Sequence, residues 1–273
     1  MDGQELLDII KSLQRGDLSA DDAFSKMKSA CAAAEQIPSS CGFEDLGFAK
    51  VDHARQERNG FPEVIFCEGK SAAHIARISD SLLSRGGSLL ATRADEAAYQ
   101  AILQVAPDAE YHDMARIVTV SRKQDRFAEG LVTVISAGTA DMPVSEEAAV
   151  TAEFFGLEVR RFYDVGVAGL HRLFHYLEEI RSSDVIICVA GMEGALPSVV
   201  GGLVDKPVFA VPSGVGYGAG AGGITTLLAM LNCCASGVSV MNIGNGFGAA
   251  YMAATICRLI HGRGQIGRKD AES

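Results

Sequence analysis

Two side chains in the second half of this 273-residue sequence have the chemistry of a catalytic pair. Cys234 follows the apolar segment LLAMLN and precedes the small-residue turn ASG, and a cysteine thiolate in such a place is a nucleophile. Glu193 stands in the loop AGMEG directly after a very apolar segment, where partial desolvation would suit a general base. Each residue also has a structural alternative: Cys234 could be a packing residue, and Glu193 could be an acid that caps the next helix. The neighbouring Cys233 is predicted to be an inert helix residue.

The elements that must position these residues follow a repeating pattern. From about residue 129 onward, apolar strand patterns alternate with helical patterns, which is typical of a parallel sheet covered by helices on both faces. Five predicted strands end in small-residue loops, namely SAGTAD, DVGVAG, VAGMEG, VPSGVGYGAGAGG and NIGNG. Ligands of such sheets bind beyond the carboxyl ends of the strands. The loops are therefore predicted to cradle a nucleotide with backbone amides and helix N-termini, with ordinary turns as the alternative.

The predicted ligand contacts lie in these loops and at the strand ends before them. Thr139 and Asp141 belong to a loop that joins a strand to a helix, where their side chains could hold phosphate or ribose hydroxyls. Cys234 is expected at the same edge, because the turn after it is predicted to return the chain there. The residues predicted to bind substrate are Ser136, Gly138, Thr139, Asp141, Asp164, Gly191, Met192, Gly194, Ser213, Gly216, Tyr217, Gly218 and Asn245.

The chain is predicted to have three parts. Residues 1–45 read as a helical lead-in with Ser19 as an N-cap, and residues 46–120 as a small α/β domain with a βαβ pattern. The polar stretch SRKQDRFA marks the boundary to a nucleotide-binding catalytic domain over 121–273. Arg55 and Arg58 belong either to a salt-linked turn or to a contact with a second phosphate of the ligand, and the sequence leaves both open.

Composition excludes several classes of function. The formal net charge of −10 argues against nucleic acid as a partner, because phosphate neutralisation needs a dense basic face. No apolar stretch is long enough to span a bilayer, and the first residues do not form a secretory signal, so a cytoplasmic protein is expected. The seven scattered cysteines fit a reducing compartment and indicate neither zinc nor disulfides. His171 and His175 have the spacing of a metal pair but no third ligand, so a metal site stays unknown.

Three segments resemble a family of purine synthesis. ISAGTAD, VAGMEGALPSVVGGLVDKPVFAVP and NGFGAAYMAATI are similar to the ribonucleotide-binding core of the aminoimidazole ribonucleotide carboxylase/mutase family. The resemblance implies a flavodoxin-like C-terminal domain, so the expected fold class is α/β, with a smaller N-terminal α/β domain and the helical lead-in. That family carries a catalytic histidine in the loop after its second strand, whereas the corresponding DVGVAGLH has none at that point.

A second resemblance covers about residues 46–260. LGFAKVDHARQERNGFPEV, PSGVGYGAGAGG and MLNCCASGVSVMNIGNGFGA are similar to the LarB family. This resemblance implies that nicotinic acid adenine dinucleotide is carboxylated at C5 of its pyridinium ring with carbon dioxide or bicarbonate. It also implies cleavage of the phosphoanhydride, which releases AMP and leaves a biscarboxylated pyridinium mononucleotide for the nickel-pincer cofactor.

The same resemblance assigns residue roles and partners. The family's covalent cysteine in Asn-Ser-Cys-Ala corresponds to Cys234, with Cys233 in place of the usual serine, and its loop acid corresponds to Glu193. Magnesium as a cofactor, no retained nickel and a homo-octamer are implied by resemblance alone. Two alternatives are an aminoimidazole ribonucleotide carboxylase/mutase and a non-enzymatic nucleotide-binding module.

Overall fold

A computed structural model describes Lys11 and residues 42–122 and 127–262, except for the side chains of Ala219 and Ala221. The chain divides into two compact units, residues 1–55 and 56–273. The predicted helical lead-in, with Ser19, lies outside the described residues over most of its length. Its last three residues form strand β1 (Phe43–Asp45), which pairs antiparallel with β2 (Lys50–Asp52), so the helical prediction is wrong there.

A small mixed sheet begins the second unit. Its strands are β3 (Ile65–Phe66), β4 (Leu89–Thr92), β5 (Glu110–His112) and β6 (Ile117–Val120), in the order β3-β4-β6-β5. The helices of this region are α1 (Arg55–Asn59), α2 (Ala72–Leu83) and α3 (Glu96–Leu103). Ser71 caps α2 and Asp95 caps α3, each through a side-chain oxygen that accepts a backbone N–H. The predicted βαβ pattern is confirmed, because β3 and β4 pair parallel on either side of α2.

A five-stranded sheet follows, and each of its strand pairings is parallel. Its strands are β7 (Leu131–Ser136), β8 (Glu158–Phe162), β9 (Val185–Ala190), β10 (Val208–Pro212) and β11 (Val238–Val240). The helices that connect or follow them are α4 (Met142–Phe154), α5 (Leu170–His175), α6 (Leu177–Arg181), α7 (Leu196–Gly201), α8 (Ile224–Leu231) and α9 (Gly246–His261). The spatial order is β11-β10-β9-β7-β8, the arrangement of a flavodoxin-like fold, which confirms the predicted fold class.

The sheet is buried on both faces. Every residue of β9 and β10 is buried, as a parallel sheet between two helical layers requires. On one face α4 packs against α9, whose alanines allow a close approach, and the rings of Phe61, Phe155 and Tyr251 make tilted and edge-to-face contacts in the same core. On the other face Leu173 and Met230 lie in a second core. At 25 cal/mol per Å2, each fully buried large side chain contributes about 1.5–3 kcal/mol to this packing.

The helical segment LHRLFHYLEEIRSS is interrupted in the structure. It forms α5 and α6, which meet at Tyr176, where φ is −103° and ψ is 8°. Tyr176 instead stacks its ring on Phe162 of β8, with 4.5 Å between the ring centroids. Among the residues that the structure describes, no helix combines the length and apolar character needed to cross a bilayer.

Candidate active site

All five predicted small-residue loops lie at the carboxyl ends of the parallel strands, because each directly follows one of β7 to β11. A crevice of about 340 Å3 opens there beside the switch in strand order between β7 and β9. From the predicted set, Gly138, Asp141, Asp164, Gly191, Met192 and Glu193 line it. Other lining residues are Ala137, Ala140, Gly166, Val167, Ala168, Arg172, Ala190, Ala195, Leu196 and Val215.

The loop after β7 is held by the carboxylate of Asp141, which is 4% exposed. One oxygen accepts the Gly138 N–H at 2.8 Å and the other accepts the Ser213 hydroxyl at 2.6 Å. Asp141 therefore ties the loop after β7 to the loop after β10, across β9. Ser136 is buried at the end of β7, and its hydroxyl oxygen lies 3.3 Å from the Asp164 N–H that donates to it. Thr139 is exposed beside the crevice.

The loop after β8 supplies an ion pair. Arg172 Nη1 lies 2.7 Å from Asp164 Oδ2, and both side chains are partly exposed, at 36% and 52%. Asp164 has a φ of +58°, a left-handed conformation that costs most side chains energy and that aspartate tolerates better than others. Gly166 passes so close to the first loop that an added Cβ would lie 2.5 Å from Ala137 O. The two loops are thus packed backbone against backbone.

The loop after β9 presents Glu193. Met192 has a φ of +53°, and its carbonyl accepts a hydrogen bond from the buried Thr226 hydroxyl of α8. Gly194 is buried against Thr226 and Met230, so it supports the loop from behind. Glu193 is exposed at the mouth of the crevice. The prediction that its carboxylate is partly desolvated is therefore wrong for a single chain, because the apolar strand ends before the loop turns out into solvent.

The remaining predicted contacts do not line the crevice. Gly216, Tyr217 and Gly218 belong to the long loop after β10, where Tyr217 is 78% exposed. Asn245 caps α9, since its Oδ1 accepts the Gly248 N–H at 2.8 Å. The loop before α9 is also tied to the mixed sheet, because the buried Glu147 accepts hydrogen bonds from both the Gly246 N–H and the Thr92 hydroxyl.

The cysteine pair lies at the opposite edge of the sheet. Cys233 and Cys234 follow α8 and precede β11, so they lie at the amino ends of the strands. The helix α8 follows the loop after β10 and rises about 12 Å over its eight residues, so it carries the chain away from the glycine-lined edge. The expectation that Cys234 lies at that edge is therefore wrong within one chain. A crossover helix carries the chain back to the amino ends before the next parallel strand begins.

The two thiols have different surroundings. Cys234 is exposed, while Cys233 is half-buried and its Sγ accepts hydrogen bonds from the Ser198 hydroxyl at 2.9 Å and the Ala235 N–H at 3.4 Å. The other described cysteines are buried in apolar surroundings. Burial raises the pKa of Cys67 to about 11 and that of Cys257 to about 12, and it raises the pKa of Cys188 well above the ordinary range. Cys234 is thus the one exposed thiol among the described cysteines.

Arg172 is the lining residue of most consequence that the sequence did not reveal. It brings a guanidinium to a crevice whose other described charged residues are Asp141, Asp164 and Glu193. Nothing in its local pattern marks it, since it stands between the more conspicuous His171 and His175. Within the described ranges, no group of three or more histidine, cysteine or acidic side chains is arranged to hold a metal ion.

The fold and the crevice define a class: an α/β protein with a flavodoxin-like sheet and a crevice at its switch point, where sheets of this kind bind ligands. Two family models match the chain, a LarB/PurE-like N-terminal domain over residues 43–123 and AIR carboxylase over residues 131–265. The chain therefore belongs to the LarB family, in which an AIR-carboxylase-like domain follows the LarB/PurE-like domain. This membership makes it a carboxylase/mutase-type enzyme.

Individual proteins are similar to the whole chain or to part of it. An uncharacterized protein of Methanocaldococcus jannaschii is 37% identical over 269 residues, which cover 95% of this chain and 99% of that protein. The N5-carboxyaminoimidazole ribonucleotide mutase of the same organism is 33% identical over 134 residues, covering 47% of this chain and 80% of the mutase. Among solved structures, Treponema denticola PurE is 22% identical, with a TM-score of 0.37, and the match covers 51% of this chain and 95% of that one.

Proposed function

We propose that the protein carboxylates C5 of the pyridinium ring of nicotinic acid adenine dinucleotide, using carbon dioxide or bicarbonate. It also hydrolyses the phosphoanhydride, so that the products are AMP and pyridinium-3,5-biscarboxylic acid mononucleotide, the precursor of the nickel-pincer cofactor. The protein retains no nickel in this reaction. The observation that carries the proposal is the exposed thiol of Cys234 at the position of the LarB family's covalent cysteine, in a chain that matches both domains of that family.

The chemistry requires a reversible nucleophile. The C5 carbon of a pyridinium ring is electron-poor and does not attack carbon dioxide. When the Cys234 thiolate adds at C4, the new S–C4 bond removes the ring's positive charge and leaves an enamine whose C5 is nucleophilic. C5 then forms a bond to carbon dioxide, and the ring nitrogen becomes an iminium. A base removes the C5 proton, and expulsion of the thiolate from C4 restores the aromatic ring.

Glu193 is the base in this scheme. Its carboxylate stands at the mouth of the crevice, in the loop that also presents Met192 and Gly191 to the ligand. The crevice is a suitable size for the mononucleotide half of the substrate, since ligand pockets of about 300 Å3 and more are common. Arg172 provides the charge complement for a phosphate at this edge.

Cys234 and Glu193 belong to opposite edges of the sheet, so the proposed reaction needs two copies of the chain. The thiol of one copy then enters the crevice of another. Ile224, Leu228 and Leu231 form an apolar stripe on α8 next to Cys234, with exposures of 57%, 54% and 61%. Their i, i+4, i+7 spacing is that of a helix face that packs against a partner. A closed homo-octamer, as the resemblance implies, would cover this face and complete each site.

Magnesium enters the proposal only through the resemblance. The described residues offer no cluster of three metal-binding side chains, and Asp141 and Asp164 are already engaged by Ser213 and Arg172. We therefore assign no step to a metal ion.

The second candidate function is that of an aminoimidazole ribonucleotide carboxylase or mutase. The 33% identity to the M. jannaschii mutase favours it. It requires a histidine at the crevice, yet the described crevice lining includes none, and His171 is the second residue of α5, beyond the loop. Cys234 would have no part in that reaction.

The deciding experiment combines the full-length protein with nicotinic acid adenine dinucleotide and radiolabelled bicarbonate. The proposal predicts equal amounts of AMP and labelled pyridinium mononucleotide, and it predicts that Cys234→Ala yields no labelled product while Cys233→Ala retains activity. In a parallel reaction supplied with aminoimidazole ribonucleotide instead of the dinucleotide, labelling of that ribonucleotide that persists in Cys234→Ala would establish the second candidate. Binding of the dinucleotide without turnover would contradict both.

A mixing experiment tests the two-copy site separately. Cys234→Ala and Glu193→Gln chains are each expected to be inactive alone. Co-expressed in equal amounts, they should recover about a quarter of wild-type activity, since random assembly unites an intact thiol with an intact carboxylate in that share of sites. No recovery in verified mixed assemblies would show that both groups act from one chain.

A further inference from the structure

A second cavity adjoins the crevice. It has a volume of about 410 Å3 and is formed by the loop after β8, by α5 and by the residue that follows α5. Its lining consists of Tyr163, Asp164, Val165, His171, Arg172, His175 and Tyr176. Asp164 and Arg172 line both cavities, so their ion pair stands at the junction between the two.

We propose that this second cavity binds a nucleoside monophosphate, specifically the AMP half of the dinucleotide. The inference rests on the proposed function, which supplies a substrate with two nucleotide halves joined by a pyrophosphate. One half would fill the crevice beside Glu193, the pyrophosphate would cross the junction at Arg172, and the adenylate would fill the second cavity. Each cavity has a volume in the range of natural small-molecule sites.

The walls of the second cavity suit a flat base. Tyr176 is fixed by stacking on Phe162, with ring planes 24° apart, and the His175 ring meets it edge-on at a centroid distance of 4.7 Å. Tyr163 is also fixed, because its hydroxyl donates to Glu146 Oε1 at 2.6 Å. Aromatic and imidazole side chains that are held in place bind a purine by stacking at little cost in conformational entropy.

The junction suits a phosphate. Arg172 presents a planar guanidinium, which binds phosphate oxygens in bidentate geometry. Its present partner is Asp164, and an ion pair whose side chains are 36% and 52% exposed contributes little to stability. A phosphate can therefore replace the carboxylate at Arg172, and Asp164 then becomes available to accept hydrogen bonds from ribose hydroxyls. Arg172 attracts a bound anion and Asp164 repels it, so substitutions at these two residues should change the affinity for a phosphate in opposite directions.

Calorimetric titration of the full-length protein with AMP tests the inference directly. Arg172→Gln is expected to weaken AMP binding by about tenfold, because a charged hydrogen bond to phosphate is lost. Asp164→Asn is expected to strengthen it severalfold, because a competing anion is removed. Tyr176→Leu and His175→Ala should each weaken it while leaving the affinity for nicotinic acid mononucleotide within about twofold, since neither side chain lines the crevice.

The matched control is Arg122→Gln, which removes the same charge from an ion pair with Asp108 of similar exposure, 36% and 56%, outside both cavities. AMP affinity unchanged in Arg172→Gln and in both aromatic-wall variants would overturn the inference, as would a loss confined to Arg122→Gln. Circular dichroism verifies that each variant folds. If either Tyr176→Leu or His175→Ala fails to fold, the other variant still tests the aromatic wall of the second cavity. AMP binding with this residue dependence in a protein that carboxylates no dinucleotide would reject the proposed function and leave the inference standing.

Discussion

The hydroxyl of Ser213 donates a hydrogen bond of 2.6 Å to the carboxylate of Asp141, although the two residues belong to loops on strands that are not neighbours. The bond passes over β9, at the floor of the crevice. Because Asp141 is buried, its carboxyl oxygens depend on this donor and on the Gly138 N–H for their hydrogen bonds. The crevice is therefore held open by a polar cross-link between its two sides.

The first prediction concerns this cross-link. Ser213→Ala should lower the free energy of unfolding by about 1–3 kcal/mol, because a buried hydrogen-bond acceptor loses a partner. It should also weaken the binding of nicotinic acid mononucleotide. Urea denaturation and calorimetry measure the two effects. Ser182→Ala, which removes an exposed hydroxyl that accepts from Arg160, is the control and should change neither. Equal effects of the two substitutions would refute the structural role of the cross-link.

The second prediction compares two glycines of the crevice. A Cβ on Gly191 would lie 2.5 Å from Val215 O and 2.8 Å from Ser213 Oγ, whereas on Gly138 the nearest atom is 3.7 Å away. Gly191→Ala should therefore destabilise the protein by about 1–3 kcal/mol and abolish mononucleotide binding, because the loops after β9 and β10 must separate. Gly138→Ala should be tolerated. Thermal unfolding and a binding titration test this pair, and comparable behaviour of both variants would contradict the packing described.

The third prediction concerns pH. Burial raises the pKa of Asp184, but the hydrogen bond from the Leu131 N–H and the contact with His261 outweigh this, so its pKa lies below the ordinary value. A carboxyl with a lowered folded-state pKa stabilises the fold above its unfolded pKa of about 4, and this contribution is lost as the pH falls through the folded pKa. The stability advantage of wild type over Asp184→Asn should therefore shrink on acidification below about pH 4.

Urea unfolding at a series of pH values between about 5 and 2 measures this difference. The control is Asp205→Asn, whose exposed carboxylate makes only a 3.7 Å ion pair with Lys206. Its stability should follow that of wild type at every pH. A constant difference between wild type and Asp184→Asn throughout the acid range would contradict the assignment.

Much of the architecture was readable from the sequence because it depends on short-range patterns. Buried parallel strands such as β9 are continuous apolar runs, and the small-residue loops that follow them share one edge by topology. Cys234 was misplaced because the turn after it is also rich in small residues, and composition does not distinguish the two edges of a sheet. The alternation of strand and helix does distinguish them, since a turn that precedes a parallel strand lies at its amino end.

Other features depend on long-range contacts that no local pattern carries. The hydrogen bond from Thr92 to Glu147 joins residues 55 positions apart, and that from Gly246 to Glu147 joins residues 99 positions apart. Arg172 was not predicted to line the crevice, because an arginine on an amphipathic helix is common. Its position in the lining depends on where α5 packs. The exposure of Glu193 depends on how far its loop projects, which the apolar strand before it does not reveal.

The central claim is that the Cys234 sulfur adds to the pyridinium ring of the substrate. Intact-protein mass spectrometry after incubation with nicotinic acid adenine dinucleotide, followed by peptide mapping, measures this directly. The account predicts an added mass equal to the pyridinium substrate on the peptide that contains residue 234, absent from Cys234→Ala and present in Cys233→Ala. An adduct that persists in Cys234→Ala, or full turnover by that variant, would contradict it.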